Sequence, residues 1–334
     1  MKKNLPGLLS LSIITFLSFS CASSKITLSD GSPMAIITVV GNSYIPWTDD
    51  EGAEEGNDAS EGLLNSLAHT LLGSKDPEVL TAVDRVDYAE ESFRNIVSEV
   101  SGTEVLEKAD VINVEEYKVL SESFFNSLSA TVKATNYKDF SIIGAKKARF
   151  LMDSVGAKSL AALSFSFKKE RADENNYQKF CRGLVIMKVK IINEEGREII
   201  NKVYTEQTNS KVRMYSGSDY DKDALVNLFP DAIDSVITRF ALEFMGTPSA
   251  SKREKNEFSQ QAVKLALPPR SADTAKKSAP ADSGAAAGKE EKGSVDPRIE
   301  AAVKLVQKYN VSPEEAAGDM NIPLEKLLEA LKED

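Results

Sequence analysis

Residues 184–204 constrain the fold of this chain most, because apolar and polar side chains alternate along them and the chain then turns back. The apolar positions are Val185, Met187, Val189 and Ile191, with Lys188 and Lys190 on the other face. Alternation with period two is typical of a strand with one buried face. Gly196, in Asn193-Glu194-Glu195-Gly196, supplies the positive φ that a tight turn needs. The sequence therefore predicts an antiparallel hairpin covered on one side by another layer.

The neighbouring segments predict both helices and strands. Strands are expected at 34–40, 109–114 and 158–167, and helices from 59 to the break at Asp76-Pro77 and at 88–100, 115–132, 145–155 and 224–245. Gly156 is placed to end the helix before it in a left-handed conformation. Pro230 is expected to bend or divide the last helix. Residues 34–247 therefore predict an α+β domain, a mixed sheet flanked by helices, long enough for one substantial core.

The order of these elements resembles the periplasmic α/β domain shared by CsgG-type curli secretion lipoproteins, LpoB-type penicillin-binding-protein activators and the N-terminal domain of TolB. The likeness rests on the early strand 35–40, the helix-Gly-Ala-strand step at 146–160 and the hairpin at 185–204. It implies a domain that binds a partner in the bacterial envelope. It also leaves open a CsgG-like secretion-channel component. A channel needs long lipid-facing strands, and lysines interrupt the one hairpin of sufficient length.

The chain after the domain divides into two segments. Residues 248–295 are rich in Ala, Ser, Lys, Gly and Pro, which predicts a flexible, disordered linker. Residues 296–334 predict a small three-helix module, with a capping box at Ser312-Pro313-Glu314-Glu315. Residues 312–331 resemble a helix-turn-helix, but nine acidic against five basic residues give the module a net charge of −4. DNA binding needs cations to neutralise phosphates, so we expect protein docking, carried by Leu324, Leu327, Leu328 and Leu331.

The N-terminus has the pattern of an export signal: Met1-Lys2-Lys3, an apolar run at 5–19 and the small residue Ser20 before Cys21. A cysteine at that place resembles the acylated residue of bacterial, spirochaete-type lipoproteins. The resemblance implies a signal peptide at 1–20, lipidation of Cys21, a tether at 21–33 and membrane attachment through acyl chains. Ala22 follows in place of the aspartate that retains lipoproteins at the inner membrane, which favours the outer membrane. An ordinary cleaved signal and an uncleaved anchor are the alternatives.

The charge of the chain excludes some partners. A net charge of −10 disfavours nucleic acid and anionic membrane surfaces as electrostatic partners. Seven acidic residues lie between 49 and 61, but their spacing does not match a twelve-residue calcium loop. A solvated loop is the better interpretation, and we expect no metal site.

Candidate catalytic residues are few. His69 is the only histidine and has no second ligand beside it. Once Cys21 is lipidated, Cys181 is a lone thiol at the start of a strand, which favours a buried small apolar residue. Nucleophile-elbow, phosphate-loop and dinucleotide motifs are absent from the sequence. Tyr44 and Trp47, beside Pro46, are candidates for an exposed aromatic contact with a partner, although core packing or the anchoring of a loop is the favoured interpretation.

These observations favour a lipid-anchored, non-enzymatic binding or assembly factor without a cofactor. Its domain is expected to bind a periplasmic or outer-membrane protein, and its tethered module to engage a second one, helped by the effective concentration that tethering provides. A hydrolase that uses a pair of carboxylates is the remaining alternative, because an acidic chain offers many such pairs.

Overall fold

The computed structural model describes residues 26–48, 76–122, 131–173, 178–215, 219–245 and 296–333. One six-stranded mixed sheet organises the domain. Its strands are β1 (Met34–Asn42), β2 (Thr131–Lys133), β3 (Ser159–Arg171), β4 (Phe180–Asn193), β5 (Glu198–Gln207) and β6 (Val212–Arg213). The order is β2-β1-β3-β4-β5, and β6 pairs with the start of β4. Only β1 and β3 are parallel neighbours, which confirms the α+β class with a mixed sheet.

The helices of the domain are α1 (Pro77–Leu80), α2 (Ala82–Ser101), α3 (Lys108–Ile112), α4 (Glu115–Val119), α5 (Ala145–Val155), α6 (Lys222–Val226) and α7 (Phe229–Phe244). The predicted C-terminal helices are α8 (Pro297–Tyr309), α9 (Pro313–Asp319) and α10 (Leu324–Glu333). Helices α2 and α7 pack against each other and cover one face of the sheet. Phe93 of α2 stacks on Phe240 of α7 at 5.6 Å between ring centroids. Burying a side chain of this size contributes about 1.5–3 kcal/mol.

The predicted hairpin is confirmed. Strands β4 and β5 pair antiparallel, and the inward side chains at 185, 187 and 189 are fully buried beneath α7. Gly196 has φ 76° in the turn. A Cβ at that position would lie 2.4 Å from the carbonyl oxygen of Ala145, so the turn also packs closely on the start of α5. Gly156 ends α5 in the left-handed conformation, as expected.

Pro230 divides the predicted helix 224–245 rather than bending it. Helix α6 ends at Val226, and Pro230 lies in the first turn of α7. A proline there loses no hydrogen bond, because the first N–H groups of a helix have no partner within it.

The predicted strand at 109–114 is wrong, because Lys108–Ile112 form the short helix α3. Val111 alone among those five residues is buried. Alternating side chains along so short a segment fit one turn of helix as well as a strand, and packing decides between them.

The predicted helix at 115–132 is also wrong in its extent. Helix α4 ends at Val119, and the Lys138 ammonium binds the carbonyl oxygens of Lys118 and Leu120 at distances of 2.5 and 2.6 Å. A cation near a helix C-terminus satisfies its free carbonyl groups. Val132 lies in β2, opposite Gly41 of β1. The predicted helix at 59–75 lies outside the described residues.

Candidate functional site

A cluster of buried and half-buried charged and aromatic side chains lies where β1 and β3 end. We call it the Trp47 cluster, and it comprises Trp47, Asp76, Glu78, Arg85, Lys169, Tyr220 and Lys222. Trp47 follows β1 and forms a bridge with Lys169 near the end of β3. Helices α1 and α6 pack against each other, and they place Glu78 of α1, Asp76 just before α1 and Tyr220 just before α6 in the cluster. The members are distant in the chain, so only the packed fold assembles the site.

Glu78 is the centre of the cluster. Its carboxylate accepts hydrogen bonds from the Lys169 ammonium at 3.0 and 3.1 Å and from the Tyr220 hydroxyl. Glu78 is 4 % exposed, and Lys169 and Tyr220 are each 8 % exposed. Burial and the bond to Glu78 raise the pKa of Tyr220, so its hydroxyl stays protonated and donates.

Trp47 covers the buried lysine. The Lys169 ammonium lies 5.5 Å from the Trp47 ring centroid and 5.3 Å from that of Tyr220. The two rings meet edge to face at 5.9 Å, and the Arg171 guanidinium lies 5.9 Å from the Trp47 ring. Cations attract aromatic faces more strongly where water is excluded. Trp47 is half-buried and therefore anchors its loop on a charged pair rather than projecting freely.

A second ion pair lies on the more exposed side of the cluster. The Lys222 ammonium lies 2.5 Å from the Asp76 carboxylate, which also caps α1 by accepting from the Glu78 backbone N–H at 3.0 Å. Burial pushes the pKa of Asp76 up, but the hydrogen bonds from Lys222 and from the α1 backbone outweigh burial and lower it. The same bond raises the pKa of Lys222 against burial. Both groups are therefore charged near neutral pH.

Cys181 is fully buried, as the sequence predicts, and burial raises the pKa of its thiol to about 11. A thiol of that pKa is a poor nucleophile at neutral pH. Within the described residues, no group of three or more His, Cys, Asp or Glu side chains is placed to hold a metal ion.

The other face of the β3–β4–β5 region carries half-exposed and exposed side chains. We call it the open sheet face. It comprises Ser164, Ser166, Lys168, Glu170, Arg182, Leu184, Ile186, Lys188, Val203, Thr205 and Gln207, which are paired across the strands. None of the described helices covers these residues. The exposed members of this face are Lys188, Val203, Thr205 and Gln207, and the exposed side of an antiparallel sheet can bind a partner.

The open sheet face combines positive charge with apolar surface. Among the described residues of this face, Lys168, Arg182 and Lys188 are cationic and Glu170 is acidic, and the Glu170 carboxylate pairs with Arg182 at 2.5 Å. Val203 is 59 % exposed although it is apolar. At the end of the face near Arg182 and Thr208 lies a shallow cavity of about 440 Å³.

The C-terminal helices pack against the domain. Helix α8 contacts α4 and α5, where Tyr309 meets Phe150 edge to face at 5.7 Å. The Tyr309 hydroxyl donates to Asp153 at 2.5 Å, and the Lys147 ammonium lies 2.7 Å from Asp319. Two further ion pairs, Lys304–Glu116 at 3.2 Å and Lys308–Asp153 at 2.6 Å, join the same surfaces. The module and the domain are therefore in contact through both charged and aromatic groups.

The four leucines predicted for docking all lie in α10, but they differ in how far they are exposed. Leu327 is fully buried within the module, and Leu328 is 40 % exposed. Leu324 and Leu331 are half-buried beside the core. Tyr44 is also half-buried, and its carbonyl oxygen accepts from the Asn42 amide.

Several sequence predictions fall on parts of the chain that are not described. Cys21, the signal peptide, His69, the acidic segment 49–61 and the linker 248–295 lie outside the described residues. The described helices include none that is both long and apolar enough to cross a bilayer. No protein-family model matches the chain, and no curated protein matches it.

Proposed function

We propose that this protein is a lipid-anchored bacterial envelope protein and acts as a non-enzymatic binding or assembly factor. The observation that carries the proposal is the open sheet face, where cationic side chains lie beside the exposed Val203 and the half-buried Leu184 and Ile186, on a chain of net charge −10. The Cys21 pattern supports the anchor. The partner surface that fits this face carries acidic residues beside apolar ones, because complementary charge fixes orientation and speeds association.

The rigidity of this face suits it to binding. Strand β4 is paired along its length with β3 on one side and β5 on the other, and its inward side chains pack beneath α7. The outward side chains are thus held at fixed positions before a partner arrives. Such preorganisation reduces the entropy lost on binding.

A photo-crosslinking amino acid at position 203 tests the partner surface in the native cell. Position 202 is the matched control, since Lys202 is also exposed but faces the α7 side, 3.6 Å from Glu243. We expect crosslinking from position 203 to capture one defined protein, and we expect Lys188→Glu to lower the yield of that crosslink. Equal products from both positions would refute the assignment of the face.

The anchor is tested separately. We expect Cys21→Ala to leave membranes in high salt, because acyl chains contribute about 0.8 kcal/mol per buried CH₂ and salt does not screen that term. The wild-type chain should remain with the membrane and incorporate labelled palmitate. If both chains stay equally attached, the lipid anchor is wrong.

A further inference from the structure

Arg85 of α2 is a buried cation with most of its hydrogen-bonding capacity unused. The residue is 5 % exposed. Its Nη1 atom donates to the Glu78 carbonyl oxygen at 2.7 Å and to the Thr81 hydroxyl at 2.8 Å. Its Nε and Nη2 atoms have no hydrogen-bond partner among the described residues. A buried polar group in that state normally has a bound water or ion to satisfy it.

The two unpartnered atoms lie on one edge of the guanidinium. Nε–H and one Nη2–H point in the same direction, and this edge binds carboxylate and phosphate groups through two parallel hydrogen bonds. The aromatic neighbours do not replace such a ligand. The Phe167 and Phe229 ring centroids lie 5.0 and 6.0 Å from the Arg85 Cζ atom and interact with the cation as a whole. They offer no acceptor in the plane of the edge.

The local charge also favours an anion. Arg85 and Lys169 are both buried, and the Glu78 carboxylate is committed to Lys169 and Tyr220. Glu78 forms a hydrogen bond with Arg85 only through its backbone carbonyl oxygen, and the carboxylates of Glu78 and Asp84 attract the Arg85 cation without a hydrogen bond to its free edge. The interior of the Trp47 cluster therefore holds two cations and one carboxylate. An unpaired buried charge is costly, and a bound anion would remove that cost.

We propose that Arg85 anchors an oxyanion-binding site, whose ligand offers a carboxylate or phosphate group to the Nε–Nη2 edge. The Nε and Nη2 atoms are buried, so the ligand enters only when the residues around them move. Because Glu78 contacts both Arg85 and Lys169, binding at Arg85 changes the surroundings of Trp47. This inference requires neither the lipid anchor nor a partner on the open sheet face.

Trp47 is the only tryptophan of the chain, so the tryptophan emission reports on the surroundings of Lys169 and Tyr220, which Glu78 links to Arg85. The purified full chain is titrated with sodium phosphate, acetate or sulfate at constant ionic strength, with chloride as the reference salt. We expect a saturable change in Trp47 emission and a rise in the thermal midpoint, because a ligand that binds only the folded state stabilises it. Comparison of phosphate with acetate identifies which oxyanion the site prefers.

Two variants make the test specific to the edge. Arg85→Lys keeps the charge but removes the paired donors, and we expect at least tenfold weaker binding. Arg171→Met removes an exposed cation near the same tryptophan and should change the affinity less than twofold. In the wild-type chain, the Arg85 Nε–H resonance should shift with the same midpoint, which gives a readout that does not depend on a variant. Equal titrations of Arg85→Lys and wild type, or no saturable response to any oxyanion, would overturn the proposal.

Discussion

Removal of the Glu78 carboxylate by Glu78→Gln should be among the most destabilising polar changes in this chain. The substitution leaves the Lys169 ammonium charged and without its partner, in a place where the lysine side chain is 10 % exposed. It also weakens the bond from the Tyr220 hydroxyl. Breaking a buried pair by removing one partner costs about 3–5 kcal/mol. For a domain of this size, that loss lowers the thermal midpoint by roughly 6–20 °C.

The reasoning predicts a specific recovery. Adding Lys169→Met to Glu78→Gln removes the stranded charge, so the double variant should regain at least ~2 kcal/mol, since replacing a whole buried pair is often nearly neutral. Urea unfolding, followed by Trp47 emission and by far-UV circular dichroism, measures both free energies of unfolding. Arg239→Gln breaks the exposed pair with Glu206 and should cost about 0–1 kcal/mol. A double variant no more stable than Glu78→Gln would refute the argument that the unpaired charge is the source of the loss.

Two further predictions concern the hairpin turn and the contact with the module. Gly196→Ala should lower the free energy of unfolding by about 2–4 kcal/mol, because the alanine is strained in the left-handed conformation and its Cβ clashes with Ala145. Gly156 also has a positive φ, of 73°, but open space around it, so Gly156→Ala should cost only about 1–2 kcal/mol. If urea unfolding gives equal losses of free energy for the two variants, the clash at Gly196 carries no cost. The hydrogen bond from Lys308 lowers the pKa of Asp153. The Asp153 carboxylate therefore contributes to the free energy of unfolding above its unfolded-state pKa, and this contribution is lost as the pH falls through the lower folded-state pKa. The stabilities of wild type and Asp153→Asn should therefore converge below about pH 4, and a constant difference from pH 7 to pH 3 would contradict the role of this carboxylate.

The elements best predicted from sequence are those whose pattern and packing agree. The hairpin at 184–204 follows from its alternation and its glycine turn, and α5 follows from its apolar face and its terminal Gly156. The errors at 109–132 have a physical cause. Lys138 donates a hydrogen bond to the Leu120 carbonyl oxygen at the end of α4, and Val132 pairs with Gly41 of β1 in the sheet. Neither contact leaves a local signal.

The Trp47 cluster could be predicted only in part. Trp47 is recognisable as a loop anchor from sequence, but Glu78, Arg85 and Tyr220 give no local sign of their assembly. One signal was present. Lys169 follows Phe165 and Phe167 at alternate positions, so the strand pattern places a lysine on the buried face. A charge in that position needs a partner of opposite sign, and the search for one leads to the carboxylates on the helices that cover that face.

The contact between α8 and the domain restricts how the C-terminal module can act on a second protein. Apolar residues of α8 are buried along nearly the whole helix, because it packs on α9 and α10 as well as on α4 and α5. A module that left the domain to bind elsewhere would expose the side of α8 that holds Tyr309 and would lose its ion pairs. Docking that keeps these contacts could use the outer side of α10, where Leu328 is exposed. The module would then present a second binding surface at a fixed position relative to the open sheet face, so geometry as well as tether length would decide whether two partners are held together.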